Sequence, residues 1–557
     1  MSHSLTKMSA SVTSLATLLV CSHFPSPGPV KAQDMVFGMD EASTGRRGRV
    51  RGGPPSRVLA NAFRMYQRER YEEAAVQLQR VVQGETRDAP ANVQKAQFFL
   101  GKTLYHLQFY QSALSLFDEI SEKRRRHVFF DQTLQWLAQL ASQLPESAGI
   151  IQKIGRFGMK QLDRFNTPDN FDLYNQLLYL MGRSKYQQGE FRQAIALFER
   201  VSRESRWYVQ SRFFQGISHI RMRRAKPAIG SFRAILDALE RGVEGVEDEE
   251  RMRDLAWISL ARTYYTAANR TTEEGERDVN PQLLGNAVEA WNRIGQGSEY
   301  WLDALFEASW ALFLADEYAR ALGNVHTLFS PYFENAFYPE ALVLKAVVFF
   351  SNCQMNNAAA MVELFHNYYD PVKRRLEDLL EKYKDNEQFF TFLKRVRSGQ
   401  AELPTAVRAV VASALSDRTV VRNLEYVRLL EEEEKRMNGA PAAFRNSGVG
   451  ARILQDVLVA KSFAIDQAGD LAKARYNRLL NELQDLFNQI DTVDLEVATY
   501  ERGQLSQELQ AQSKIAAEST GGEVEVDSEH QLWPFDGEYW RDELGFYRQQ
   551  VTYRCGR

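Results

Sequence analysis

Gly182 is followed twelve positions later by Ala194, and the same pair returns 34 residues on as Gly216 and Ala228. A small residue at a fixed point of one helix lets a second helix approach closely, and the small residue of the second helix completes the fit. Ala62/Ala74, Gly101/Ala113, Ser309/Ala321 and Ala346/Ala358 keep that twelve-residue register. Tyr71, Tyr110, Phe191 and Tyr318 each stand three positions before the second small residue. Amphipathic helices of an ordinary bundle have no reason to hold such a phase. The pattern predicts an all-α chain of stacked helix pairs, an α-solenoid.

The unit containing Leu178, Met181, Gly182, Tyr186, Gly189, Phe191, Ala194, Ile195, Phe198 and Val201 resembles the tetratricopeptide repeat, including the Gly and aromatic of its turn. The resemblance covers residues 56–368 and implies a superhelix that binds other proteins. It does not identify the ligand. Ala261 meets its partner Ala287 only after 26 positions, so a loop of about fourteen extra residues is expected inside that pair. Between Ala113 and Ala194 there is room for a degenerate pair, near 129–144 and 147–162, giving about eight units in all.

Seven residues into the chain, Lys7 precedes an apolar run through Val12, Leu15, Leu18, Leu19 and Val20, which ends at Pro25, Pro27 and Pro29. This is the pattern of a secretory signal peptide over residues 1–32, with Val30-Lys31-Ala32 preceding a mature start at Gln33. The alternative is lipidation at Cys21 after Leu18-Leu19-Val20, which would make the chain an outer-membrane lipoprotein. Either way Cys353 and Cys555 remain. They can pair only if the tail folds back, so one buried and one free thiol is the plainer expectation.

After a basic linker at 33–55 and the solenoid, the repeat phase is lost at Pro371 while helical patterning continues. One helix is expected over 372–397 and another over 405–437, followed by a polar loop to about 449. Then Ala472, Tyr476, Leu479, Leu483, Leu486, Ile490, Val493, Val497 and Tyr500 form a heptad seam. Its partner is expected to be the 405–437 helix, through Val407, Val410, Ala414, Val421 and Leu424, in an antiparallel hairpin; a second copy of the chain is the alternative. Residues 371–510 thus read as a hairpin or coiled-coil region and 511–531 as an acidic linker. Residues 532–557 read as an aromatic docking tail with a short helix capped by Asp536. Its anchors are Trp533, Phe535, Trp540 and Tyr547, seated either on the chain itself or on a partner.

Catalytic and metal motifs require particular spacings, and the sequence lacks them. The eight histidines include no pair at zinc-protease spacing, Gly448-Val449-Gly450 lacks the Lys of a phosphate loop, and no nucleophile elbow occurs. No cofactor, metal, small-molecule substrate or nucleic acid is expected, the last because the net charge is −3 and the pI about 6.3. A basic stretch containing Arg212, Arg221 and Arg224 offers a face for an acidic protein partner. Together these features predict a non-catalytic periplasmic scaffold or adaptor whose partners are other envelope proteins. In broad plan it resembles the tetratricopeptide adaptors of envelope machines, including those of gliding motility in myxobacteria and those aiding outer-membrane assembly. The alternatives are a lipoprotein pilot or chaperone, with membrane contact only through Cys21, and an accessory hydrolase with its site after residue 371.

Overall fold

The computed structural model describes residues 53–271, 277–333, 336–401, 403, 407–408, 410–411, 418–511 and 539–555. The expected signal peptide, Cys21, most of the expected basic linker, Trp533 and Phe535 lie outside the described residues. Eight helical units stack in chain order, an all-α solenoid. The first two are α1 (Arg57–Gln67) with α2 (Tyr71–Val82) and α3 (Pro90–His106) with α4 (Tyr110–Lys123). In the third, α5 (Phe130–Leu140) is answered by two short helices, α6 (Ile150–Ile154) and α7 (Met159–Leu162), because Pro145, Gly149, Gly155 and Gly158 interrupt the segment. The fourth and fifth are α8 (Phe171–Gln187) with α9 (Phe191–Glu199) and α10 (Tyr208–Arg221) with α11 (Ala225–Glu240). The sixth joins α12 (Glu249–Ala268) to α13 (Pro281–Asn292) through the expected insertion, which carries an antiparallel pair, β1 (Asn269–Thr271) and β2 (Arg277–Val279). The seventh and eighth are α14 (Trp301–Leu314) with α15 (Tyr318–Leu328) and α16 (Pro339–Ser351) with α17 (Met355–Lys382).

Helix spacing follows from volume matching. A Cβ on Gly216 would stand 2.5 Å from the Phe232 ring and one on Gly101 2.8 Å from Phe117, while one on Gly182 would collide with Phe198. In all three units the large ring is sixteen residues after the glycine. Where the small residue is Ala62, Ser309 or Ala346, the position sixteen on is the smaller Leu78, Val325 or Val362, each buried. A gap in one helix is thus filled by bulk in the next, as close packing demands. Ala74, Ala113, Ala194, Ala228, Ala261, Ala287, Ala321 and Ala358 are fully buried as well.

The turn inside each regular unit is equally uniform. Glu69, Gln108, Arg223, Asp316 and Cys353 have φ between 55° and 62°, and Gly189 stands at the corresponding place with φ 77°. In each case the following N–H reaches five residues back, as in Arg70 to Met65 and Gln354 to Phe349, the hydrogen bond of a Schellman cap. Only Gly189 adopts this left-handed backbone without a steric cost; the other five hold it against roughly 1 kcal/mol each because the cap satisfies otherwise orphaned carbonyls.

The C-terminal region departs from expectation in three ways. First, Pro371 does not end a helix: it sits inside α17, whose run of buried Phe365, Tyr369, Val372, Leu376 and Leu379 holds the helix through the missing N–H. The helix expected over 372–397 is therefore two, α17 and α18 (Asn386–Arg397), the second started by Asp385 accepting from the Gln388 N–H at 3.0 Å. Second, α19 (Arg418–Asn438) is followed by α20 (Ala442–Arg445), within the expected loop, and by α21 (Gly448–Ala511). Of the face assigned to its helix, Val407, Val410 and Leu424 are buried, Val421 is exposed and Ala414 lies outside the described residues.

Third, the expected hairpin forms but is not the seam's whole cover. α19 folds back along α21 and is tied to it by Lys461 to Glu434 at 2.8 Å. α16, α17 and α18 pack on α21 as well: Tyr476 meets Phe389 edge-on at 5.2 Å, and the adjoining Phe487 meets Phe365 at 5.1 Å. Lys473 reaches Asn386 at 3.2 Å and Asp491 reaches His366 at 3.0 Å. Because α21 also touches α2 and α4, one 64-residue helix spans from the first two units to the last and closes the array on itself.

Candidate functional site

The tail is docked on its own chain, and it is not a helix where described: residues 541–546 form a turn and the rest runs extended. Asp536, the expected cap, lies outside the described residues. Tyr539 stacks on His326 at 4.4 Å and Tyr547 meets the same ring edge-on at 4.9 Å. Burial pushes the His326 imidazole down to about 4, helped by the charge of Lys345. Leu544 is buried and its carbonyl accepts from Gln296 at 2.8 Å, while the Gly545 N–H donates to Thr327 Oγ1 at 2.9 Å. The strap then crosses α15 at Gly323, where any side chain would collide with the Tyr547 carbonyl. Its Gln549 N–H donates to the Ala319 carbonyl and its Arg554 N–H to the Asn352 carbonyl, both at 3.0 Å.

Cys353 and Cys555 form a disulfide, closing a loop of sequence separation 202. The expectation of one buried and one free thiol is corrected: the extended strap supplies the fold-back that pairing requires. Of the tail's candidate anchors, Tyr547 is turned inward and holds the Trp540 N–H at 2.7 Å, whereas the Trp540 ring is half exposed.

The basic candidates do not share one face. Arg212 lies near the start of α10, over the Tyr208 ring at 4.6 Å and bonded to Gln215 at 2.5 Å. Arg221 lies nine residues later, about half a turn around the helix, near Phe191 at 5.8 Å. Arg221 and Arg224 are exposed together at the α10–α11 turn; Arg212 is half-buried at the opposite end.

What periodicity did not reveal is a cleft of about 950 Å³ between the array and the returning α21. One wall is built from the second helices of the first units: Gln79 on α2 and Gln83 just past its end, then Gln111, Ser115 and Glu119 on successive turns of α4. Ser147 and Lys153 of the third unit continue it. The other wall is the α21 face of Arg452, Gln455, Val459 and Phe463. Val459 and Phe463, each 65% exposed, form an apolar ridge at the mouth, and Leu458 next to Val459 in the chain is 53% exposed.

The charged groups beside the cleft are committed to holding it together. Arg452 pairs with Glu119, Ser115 donates to Asp456 at 3.2 Å, and Lys153 reaches Asp118 at 2.7 Å. Tyr426 of α19 donates to the Gln111 amide at 2.6 Å, and buried Glu433 accepts the Gln111 N–H at 3.1 Å, at the start of α4. Burial pushes the Glu433 carboxyl up to about 8 although that N–H and Arg436 pull the other way, and burial also raises Asp456. Deeper in the array, buried Arg183 is held between Tyr179, at 3.1 Å, and Glu146, at 2.7 Å. Arg422 of α19 approaches the same Glu146 at 3.7 Å.

Among the described residues no group of three or more His, Cys, Asp or Glu side chains is placed to hold a metal, and no helix is long and apolar enough to cross a membrane. No protein-family model matches the chain, and no curated protein matches it. Among solved structures it is similar to a circular tandem repeat protein with novel repeat topology and enhanced subunit contact surfaces. The identity is 14%, over 79% of this chain and 90% of that one, with a TM-score of 0.11, a likeness that carries no functional argument.

Proposed function

We propose that the chain is a non-catalytic interaction scaffold of a bacterial cell envelope, exported to the periplasm and working as an adaptor between other envelope proteins. The observation that carries the reading is the closed solenoid: α21 ties the first units to the last, leaving a rigid frame with an open cleft and an exposed apolar ridge. Monomeric soluble proteins seldom leave such ridges uncovered without a partner to use them. The Cys353–Cys555 disulfide supports export, since such bonds persist in oxidising compartments. The apolar leader supports it independently.

Membership of a motility, secretion or outer-membrane assembly machine belongs to this proposal as the setting in which a rigid adaptor acts. The test is in-cell crosslinking of a C-terminally tagged chain, followed by mass spectrometry of the adducts and of the mature N-terminus. Discrete adducts with envelope proteins and a start at Gln33 are expected. Recovery of the chain from the cytosol, uncrosslinked and with its leader intact, overturns the reading.

A further inference from the structure

We infer that the cleft between α21 and the first three units is a binding site for an extended, uncharged peptide segment that seats an apolar side chain against Val459 and Phe463. This deepens the scaffold reading and rests on it. The site is separate from the surface of the first helices: every α-helical residue that lines it comes from a second helix of a unit, from α19 or from α21, and Ser147 and Ala148 come from the short 3-10 turn between α5 and α6. It exists only because α21 returns to the start of the array.

The lining selects the ligand. Arg452, Glu119, Asp456 and Lys153 are all engaged in ion pairs or hydrogen bonds within the protein, so the walls offer no unpaired cation to a polyanion and only partnered carboxyl groups to a polycation. What they do offer is carboxamide. Gln83 and Gln455 are exposed at the mouth, and each presents one acceptor and a pair of donors, complementary to a peptide unit; Gln111, half-buried within, accepts from Tyr426 and offers its donors. Gln79 is 4% exposed and its Oε1 has no hydrogen-bond partner among the described residues. A buried acceptor left in this state costs about 1–3 kcal/mol, a cost that a donated N–H removes once the side chain rotates toward the cleft. Ser147 Oγ is likewise without a partner. Gly448, Ala451, Ala148 and Gly149 line the space between these groups and leave room for a backbone to approach.

The apolar ridge supplies the anchor. Val459 and Phe463 are one helical turn apart on α21 and share a face with Gln455, so a side chain gripped between them holds its own peptide unit beside the amide. A cleft of about 950 Å³ is at the upper end for a single small molecule and suits a short stretch of chain.

The test uses the full mature chain and a phage-displayed library of random dodecapeptides, with enriched sequences synthesised and their affinities measured by fluorescence anisotropy. Enrichment of uncharged peptides sharing one aliphatic or aromatic position is expected. Phe463→Asp and Gln83→Ala should each weaken them roughly tenfold or more while circular dichroism stays parental. Methylation of one backbone nitrogen beside the shared position should do the same, which separates recognition of the N–H from apolar adhesion. The inference is overturned if no sequence enriches, if enriched peptides are highly charged, or if Phe463→Asp and Val459→Arg both bind them as the parent does. A chain that keeps its crosslinked envelope partners while failing this test loses the cleft assignment and retains the scaffold reading.

Discussion

The two halves of α21 meet the array through different chemistry. From Tyr476 onward the helix lies on rings and aliphatic side chains, with Phe389 and Phe365 beneath it, and the disulfide-bonded strap fastens the neighbouring units. Near Arg452 buried Val449, Ile453 and Val457 are joined by ion pairs and buried carboxyl groups, Arg452 with Glu119 and Asp456 with Ser115, and the adjoining α19 adds Glu433 on Gln111. Apolar contacts lose their favourable free energy when exposed, whereas polar ones recover much of theirs from water. The aromatic end therefore acts as a fixed root and the polar end as the part that can yield.

The largest effect that tests this contrast comes from the fastened end. Cys353→Ser should remove up to about 5 kcal/mol by the chain-entropy account of a loop this long, read as a fall in the denaturation midpoint. Hydrogen exchange should rise over 544–555 and α15 while α2 and α4 stay protected. If exchange rises first at α2 and α4, the root has been misplaced. Next, Phe389→Ala should cost about 3–5 kcal/mol through the cavity left under Tyr476, whereas Glu433→Gln should cost little or stabilise, since the amide needs no charge buried. Equal losses from the two substitutions would erase the distinction. Gly216→Leu, within the repeat framework shared by both ends, should cost about 1–3 kcal/mol or more by driving the Phe232 ring away, measured by thermal melt.

A smaller effect separates the ends by pH. Glu433 is pushed up to about 8 and Glu340, which lies at the aromatic end near Glu482, up to about 7, both by burial. Each is raised above its unfolded value, so the protonated native form is favoured: stability is greatest below about pH 4.5 with respect to these groups and declines as pH rises through 7 to 8. Other groups set the acid limit. Between pH 6 and 9, exchange should go on accelerating at the start of α4 and along α19 after it has levelled off around Glu340 in α16, and Glu433→Gln should flatten the upper part of that change. The smallest effect is expected from reversing Arg221 and Arg224 together. These exposed side chains should shift stability by less than about 1 kcal/mol, and unchanged crosslinking to an acidic partner would remove the turn they occupy as a binding face.

The array was legible because its information is local. The glycine at 182 or 216, the ring sixteen residues on and the aromatic of the turn all lie within one unit, and a side chain's volume is written in its identity. The degenerate third unit escaped assignment because its second half is broken into short helices by glycines, which leave no helical period. The helices that cover the seam besides α19 were hidden for a different reason. A seam states that a face is covered, not by what, and Phe365 and Phe389 look like ordinary core positions of their own helices. Likewise the cleft is lined by Gln83, Gln111 and Gln455, residues that carry no motif and are brought together only by contacts spanning more than three hundred positions. The disulfide left one signal in the sequence, the two cysteines outside the expected leader, but the extended strap that joins them has no periodicity to read.

That strap also redirects force. A pull on Cys555 does not travel back through α21 but passes through the sulfur bridge to Cys353 and so to the turn between α16 and α17. The residues enclosed by the bridge, α17 to α21 among them, form a closed side loop that carries no tension. For a protein coupled to a machine that moves or strains, load entering at this end would be borne by the repeat units, while the helix that walls the cleft stays mechanically at rest.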